Sequence, residues 1–151
     1  METAMSYVPK ILIVDDEKRM CDSLTVLLSH EGYETHTSLT GMEAVESLSR
    51  DDFDLVLLDM VMPDISGPEV MKHVRNLNPE TPVIVITGYG SLDSALKAMR
   101  WGAFDYMRKP LDFDELLVSV QKAVQQRMQT RERGHGQTIK RLRKNASILD
   151  Q

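Results

Sequence analysis

Three short runs of unbroken apolar residues, ILIV at 11–14, LVLL at 55–58 and VIVI at 83–86, constrain the fold of this chain more than any other feature. A strand with one face in water alternates polar and apolar residues; a run apolar at every position must be covered on both faces. Each run ends at a polar residue and is followed by residues spaced for a helix, the alternation of βαβ units in a parallel sheet. With two less apolar segments, five strands are expected: Ile11–Val14, Glu34–Ser38, Leu55–Leu58, Pro82–Ile86 and Asp105–Arg108. The second is followed by nothing distinctive, Leu39 and Thr40, and suits a sheet edge.

The intervening helices show the 3.6-residue period. Met20, Leu24, Leu27 and Leu28 form a one-sided stripe in the first, and Leu92, Ala95, Leu96 and Met99 form one in the fourth, which Trp101 is expected to anchor. Thr40-x-x-Glu43 and Ser66-x-x-Glu69 mark two helix starts, where a hydroxyl and a carboxylate each satisfy an orphan amide. The last core helix is expected from about Asp112, with Phe113, Leu116, Leu117, Val120 and Val124 on one face. Gly134-His135-Gly136 is expected to break it, leaving a weak stripe of Ile139, Leu142 and Leu149 beyond. The organisation expected is one domain over 9–126 and a basic linker or tail over 127–151.

Composition narrows the function classes. With 42% hydrophobic and 27% charged residues, and no apolar run near the roughly 18 residues of a membrane span, the chain is expected in water, without a membrane contact. Met1 to Pro9 lack the basic and apolar stretches of an export signal. Cys21 has no cysteine partner and reads as a small buried side chain, so a reducing cytoplasm is expected. The net charge of −5 conceals an acidic body, with 11 basic and 21 acidic residues over 1–126, and a basic tail with 7 and 2 over 127–151. Such a body repels a phosphate backbone, so this domain is not expected to bind nucleic acid itself, and the tail reads as a solvated linker face.

In right-handed βαβ units every strand ends on the same edge, so the residues after the strands gather in one crevice. Asp15 and Asp16 follow the first strand, Asp59 the third, Thr87 and Gly88 the fourth, and Lys109 and Pro110 the fifth. Three adjacent carboxylates repel one another, and a hard divalent cation with oxygen ligands relieves that repulsion; Mg²⁺ is the natural candidate. Asp59 is expected to lie deepest and to act as a nucleophile on phosphorus, with Lys109 and Thr87 meeting the phosphoryl oxygens.

The strings ILIVDDE, LVLLDMVMPDISG, VIVITGYG and GAFDYMRKP, in this order and at these spacings, resemble the receiver domain of two-component response regulators over residues 9–126. The resemblance implies a flavodoxin-like, doubly wound α/β fold: a five-stranded parallel sheet of order 2-1-3-4-5 with helices on both faces. It implies that Asp59 accepts a phosphoryl group from a histidine kinase or a small phosphodonor such as acetyl phosphate. It further implies direct Mg²⁺ ligation by Asp16, Asp59 and the Val61 carbonyl, with Asp15 assisting through water and Mn²⁺ able to substitute. Thr87, Gly88 and Lys109 would bind the phosphoryl group, Thr87 and Tyr106 would switch, and a cis peptide would join Lys109 to Pro110. Such a receiver is not a general enzyme; it catalyses only its own phosphorylation and dephosphorylation.

The stretch GYGSLDSALKAMRWGAFDYMRKP is similar to receivers of the nitrogen-regulation subfamily, which precede an ATPase and a DNA-binding module. No Walker motif follows residue 126, so a stand-alone regulator and part of a longer one both stay open. The expected output is transcriptional, through a surface made by Ser91–Arg100, Asp105–Arg108 and the last helix, which could also form a homodimer. Two other chemistries fit less well. A phosphohydrolase of the haloacid-dehalogenase type needs a second acid where Val61 stands, and a flavin phosphate would be repelled by Asp15 and Asp16.

Overall fold

The apolar runs form the middle of one parallel sheet. The computed structural model describes the backbone of residues 7–88 and 92–149 and the side chains of that range as far as residue 133. Its elements are β1 (Lys10–Val14), α1 (Lys18–His30), β2 (Glu34–Ser38), α2 (Gly41–Arg50), β3 (Leu55–Leu58), α3 (Gly67–Leu77), β4 (Val83–Thr87), α4 (Leu92–Arg100), β5 (Asp105–Arg108) and α5 (Phe113–Leu149). The strand order is β2-β1-β3-β4-β5, all pairs parallel, with Ile11 beside Leu55 and Val14 beside Leu58. β2 is an edge, as expected for the strand that nothing distinctive follows.

Successive side chains of the central strands point to opposite faces and enter two separate cores. Ile11, Ile13, Leu55, Leu57, Ile84 and Ile86 pack with Leu24 and Leu28 of α1 and with Leu116 and Val120 of α5. Leu12, Val14, Val56, Leu58, Val83 and Val85 pack with α2, α3 and Ala98 of α4. This double covering is the reason the three runs carry no polar residue. The fourth strand is shifted by one residue from its expected span: Pro82 stands outside it, lending its carbonyl to the Val56 amide, and Thr87 is its last member.

Both hydroxyl caps form, with the Glu43 amide donating to Thr40 Oγ1 at 3.1 Å and the Glu69 amide to Ser66 Oγ at 3.4 Å. The Glu43 carboxylate reaches back to the Leu39 amide. Gly32 and Gly102, at φ +94° and +91°, end α1 and α4 in left-handed turns whose amides return to the last helical carbonyls.

Three expectations about helices need correction. Leu92 and Leu96 of α4 are 78% and 49% exposed, and Met99 and Trp101 are exposed as well; Ala98 alone is buried. The helix lies close on the sheet through its small side chains, and the long ones point outward, because periodicity shows that a helix face is apolar and not what covers it. Phe113 is likewise exposed at the first turn of α5, while Leu116, Val120 and Val124 are buried. Finally, Gly134-His135-Gly136 does not break α5, which continues to Leu149. A helical glycine costs only about 1 kcal/mol relative to alanine, and the flanking residues are good helix formers. The side chains of Ile139, Leu142 and Leu149 lie outside the described residues, as does Ser91 of the expected output face.

Gly67 at the start of α3 abuts Met60, the residue after Asp59. A Cβ there would lie 2.5 Å from Met60 Cα and 2.9 Å from its carbonyl oxygen, so backbone would have to move. Gly67→Ala is expected to lower stability by about 1–3 kcal/mol. Urea midpoints measure this; an unchanged midpoint counts against the close approach.

Candidate functional site

Backbone pairing beyond the strand ends brings the polar residues together. The Asp15 amide bonds Ser38, the Asp59 amide bonds Val14 and the Lys109 amide bonds Thr87, each through the partner's carbonyl oxygen. The sheet ladder therefore aligns Asp15, Asp59 and Lys109 on one rim, although they lie far apart in sequence. Carboxylate oxygens of Asp15, Asp16 and Asp59 all lie within 4.8 Å of one another.

Lys109 Nζ stands at the centre of the acids, 2.8 Å from Asp15 Oδ2, 3.2 Å from Asp59 Oδ2 and 2.9 Å from Glu17 Oε1. Burial by itself would lower its pKa. The bonds to Asp15 and Glu17 and the fields of Asp15 and Asp59 outweigh that and hold the ammonium charged. Asp59 is raised as well, here by burial, against the opposing pull of the Val61 amide and Lys109, and for a carboxyl that shift favours the neutral form. The Val61 amide donates to Asp59 Oδ1 at 3.0 Å and fixes the carboxylate's orientation.

Asp59 is not the deepest acid: Asp15 is 3% exposed and Asp59 6%. The first helix covers Asp15, with the Cys21 thiol donating to its carbonyl at 3.4 Å. Burial pushes that thiol up to about 11, with Asp15 adding to the effect, which agrees with a packing role for Cys21.

Thr87, buried at the end of β4, and Tyr106 share a cleft of about 290 Å³ with Met60, Val61, Ser94 and Trp101. The Tyr106 hydroxyl is 3.1 Å from Ser94 Oγ, so the ring is tethered to α4. Gly88 lies against the stem of Lys109, where an added Cβ would be 3.9 Å from its Cδ. The Lys109–Pro110 peptide is cis.

The donor set suits a hard divalent cation. Asp15, Asp59 and Glu17 pair with the ammonium of Lys109 while Asp16 clusters with the two aspartates, so among the described residues negative charge is in excess at the rim.

Sequence reasoning missed three contributors. Glu17, though part of ILIVDDE, went unassigned; its side chain leaves the start of α1 uncapped and serves Lys109. Ser94 carried no signal before its distance to Tyr106 was known. Asp64 accepts from the Gly41 and Met42 amides, both at 2.9 Å, and so ties the loop after β3 to the start of α2. Those two bonds draw its carboxyl below the usual range.

Comparison with known proteins agrees with the geometry. The family described as response regulator receiver domain matches residues 11–121. The chain is 40% identical over 114 residues to the transcriptional regulatory protein ZraR of Klebsiella oxytoca, covering 76% of this chain and 26% of that protein. It is 38% identical over 131 residues to the regulatory protein AtoC of Escherichia coli K12, covering 87% of this chain and 28% of that protein. This chain thus spans about a quarter of the length of these curated relatives. Among solved structures, a CheY-like receiver domain protein of Methanospirillum hungatei superimposes with a TM-score of 0.78 at 31% identity, over 82% of this chain and 99% of that one. NtrX of Brucella abortus, solved with ADP, gives 0.78 at 31% identity over 85% of this chain and 30% of its own.

Proposed function

The chain belongs to the response regulator receiver family, and on that premise we propose that Asp59 is its phosphoacceptor and that Mg²⁺, or Mn²⁺ in its place, assists the transfer. The observation that carries this reading is the convergence of Asp15, Asp16 and Asp59 with Lys109 on one rim. In the reaction an oxygen of Asp59 forms a bond to phosphorus, and the bond from phosphorus to the donor breaks with its electron pair leaving on the donor. The bound cation would neutralise charge on the equatorial oxygens. Asp16, Asp59 and the Val61 carbonyl would hold it directly and Asp15 through water. The Lys109 ammonium already donates to Asp15, Glu17 and Asp59, so its hydrogen bond to Asp59 can be redirected to a phosphoryl oxygen at little cost in reorganisation.

Thr87 and Gly88 would receive the remaining oxygens. Movement of Thr87 would vacate space for Tyr106, which exchanges its Ser94 tether for an inward position and so remodels α4, β5 and α5. The exposed Leu92, Leu96 and Met99 make that surface suited to an apolar partner, either an output domain or a second copy of this chain. The receiver would act in the cytoplasm on phosphoryl groups from a cognate histidine kinase. Its output would be transcriptional, by a module joined through residues 127–151, and the domain itself would bind neither nucleic acid nor membrane. Among the described residues no helix is long and apolar enough to cross a membrane.

The test is incubation with acetyl phosphate with and without Mg²⁺, mapping of the modified residue and sedimentation of the product. Modification confined to Asp59 and lost on chelation is expected, with a faster-sedimenting species on phosphorylation. Labelling elsewhere overturns the site, and unchanged sedimentation overturns the homodimer.

A further inference from the structure

The opposite edge of the sheet, where the strands begin, carries a second buried charge cluster that the phosphoryl site does not use. Asp54 immediately precedes β3 and is 0% exposed. One of its carboxylate oxygens accepts from the Tyr7 hydroxyl and the Lys10 amide, both at 2.9 Å. The other accepts from Arg131 Nε at 2.6 Å. Arg131 also reaches Asp52 at 2.9 Å, and its guanidinium lies 5.1 Å above the centre of the Tyr7 ring. Asp52 in turn accepts from Asn78 at the end of α3 at 2.8 Å.

The buried stripe of α5 explains how Arg131 arrives there. Leu116, Val120, Ala123 and Val124 cover the sheet, and the same face continues through Arg127, which is buried 3.9 Å from Asp52 and 4.0 Å from Asp54, to Arg131. Beyond Val124 the inner face combines Met128, which still packs against the core, with the cationic Arg127 and Arg131 opposite two acids. Gln125, Gln126, Gln129, Glu132 and Arg133 on the other sides are exposed. A polar helical segment of this length has little stability of its own and needs tertiary contacts to stay helical and aligned.

We propose that Asp52 and Asp54, with Tyr7, form a clasp on Arg127 and Arg131. The clasp makes residues 127–133 a rigid continuation of the receiver and fixes the direction in which α5 leaves it. The domain boundary then falls after Arg133 instead of at 126, and a movement of α5 at the phosphoryl end is transmitted along the helix rather than lost in a hinge. This inference concerns residues remote from Asp59 and stands whether or not that aspartate is the phosphoacceptor.

The experiment uses the full chain with Arg131→Met, which keeps the aliphatic stem and removes the charge. The companion variant Asp52→Asn leaves Asp54 intact in case loss of Arg131 harms folding. Amide hydrogen exchange over 127–133 is expected to quicken at least tenfold in Arg131→Met and less in Asp52→Asn, with 116–124 unchanged. Spin labels at exposed Ser49 and Gln129 are expected to give one narrow distance distribution in the parent and a broad one in Arg131→Met. Phosphorylation by acetyl phosphate, read in the same samples, reports on the other site independently. Equal exchange over 127–133 in parent and variants, or a broad parental distance distribution, overturns the clasp.

Discussion

Asp59→Asn is expected to take up phosphoryl groups from acetyl phosphate and Mg²⁺ at less than about one-thousandth of the parent rate, because an amide oxygen is no nucleophile toward phosphorus. The fold is expected to survive. The substituted side chain keeps an oxygen for the Val61 amide, and Lys109 keeps Asp15 and Glu17. The raised Asp59 carboxyl adds a sign to this expectation. A carboxyl raised by folding binds its proton more tightly in the native state. Stability therefore increases as pH falls from the raised value toward the ordinary one near about 4, and above that window the ionised acid is a cost. In metal-free buffer at pH 7 the urea midpoint of Asp59→Asn should match or exceed that of the parent, and the parent's advantage on mild acidification should shrink in the variant. A lower midpoint at pH 7 would show that the Lys109 pair outweighs burial, and undiminished phosphorylation would remove Asp59 from the mechanism.

Lys109→Met is expected to hurt both chemistry and stability, with opposite dependence on metal. Loss of one preorganised donor to a developing oxyanion slows transfer by about 10²–10³-fold. Without metal, Asp15 and Asp59 lose the cation they share at a largely buried site, at a cost of about 2–4 kcal/mol, somewhat less than for a fully buried pair. A divalent cation bound only by the native state restores about 2.7 kcal/mol at a hundredfold excess over its dissociation constant. Melting in EDTA and in Mg²⁺ should therefore differ more for Lys109→Met than for the parent. If both proteins melt alike in EDTA, Lys109 is not what holds the acids together; if the two transfer at equal rates, it has no part in the chemistry.

The candidate site was legible to the extent that it consists of strand ends. Asp15, Asp16, Asp59 and Thr87 follow from apolar runs that terminate in polar residues, and Lys109 from the less apolar fifth strand, since a parallel sheet gathers its C-terminal ends by construction. Glu17 and Ser94 belong to helices or their approaches, and their contacts depend on how each helix sits on the sheet, which no spacing rule gives. The same holds for α4, where the stripe of Leu92, Leu96 and Met99 was visible and its outward orientation was not. Arg127 and Arg131 looked like part of a solvated basic tail because their partners are remote in sequence, Asp54 and Asp52 lying 77 and 79 residues before Arg131.

Local order in the chain thus determined the number, type and sequence of the elements, the two-sided burial of β1, β3 and β4, and the aspartates at the rim, because these depend on periodicity and on where each run stops. Only the folded arrangement decided which ammonium each carboxylate meets, which apolar face is left to water, and how far α5 runs. Those outcomes depend on distances between elements remote in sequence, set by packing that no local pattern encodes.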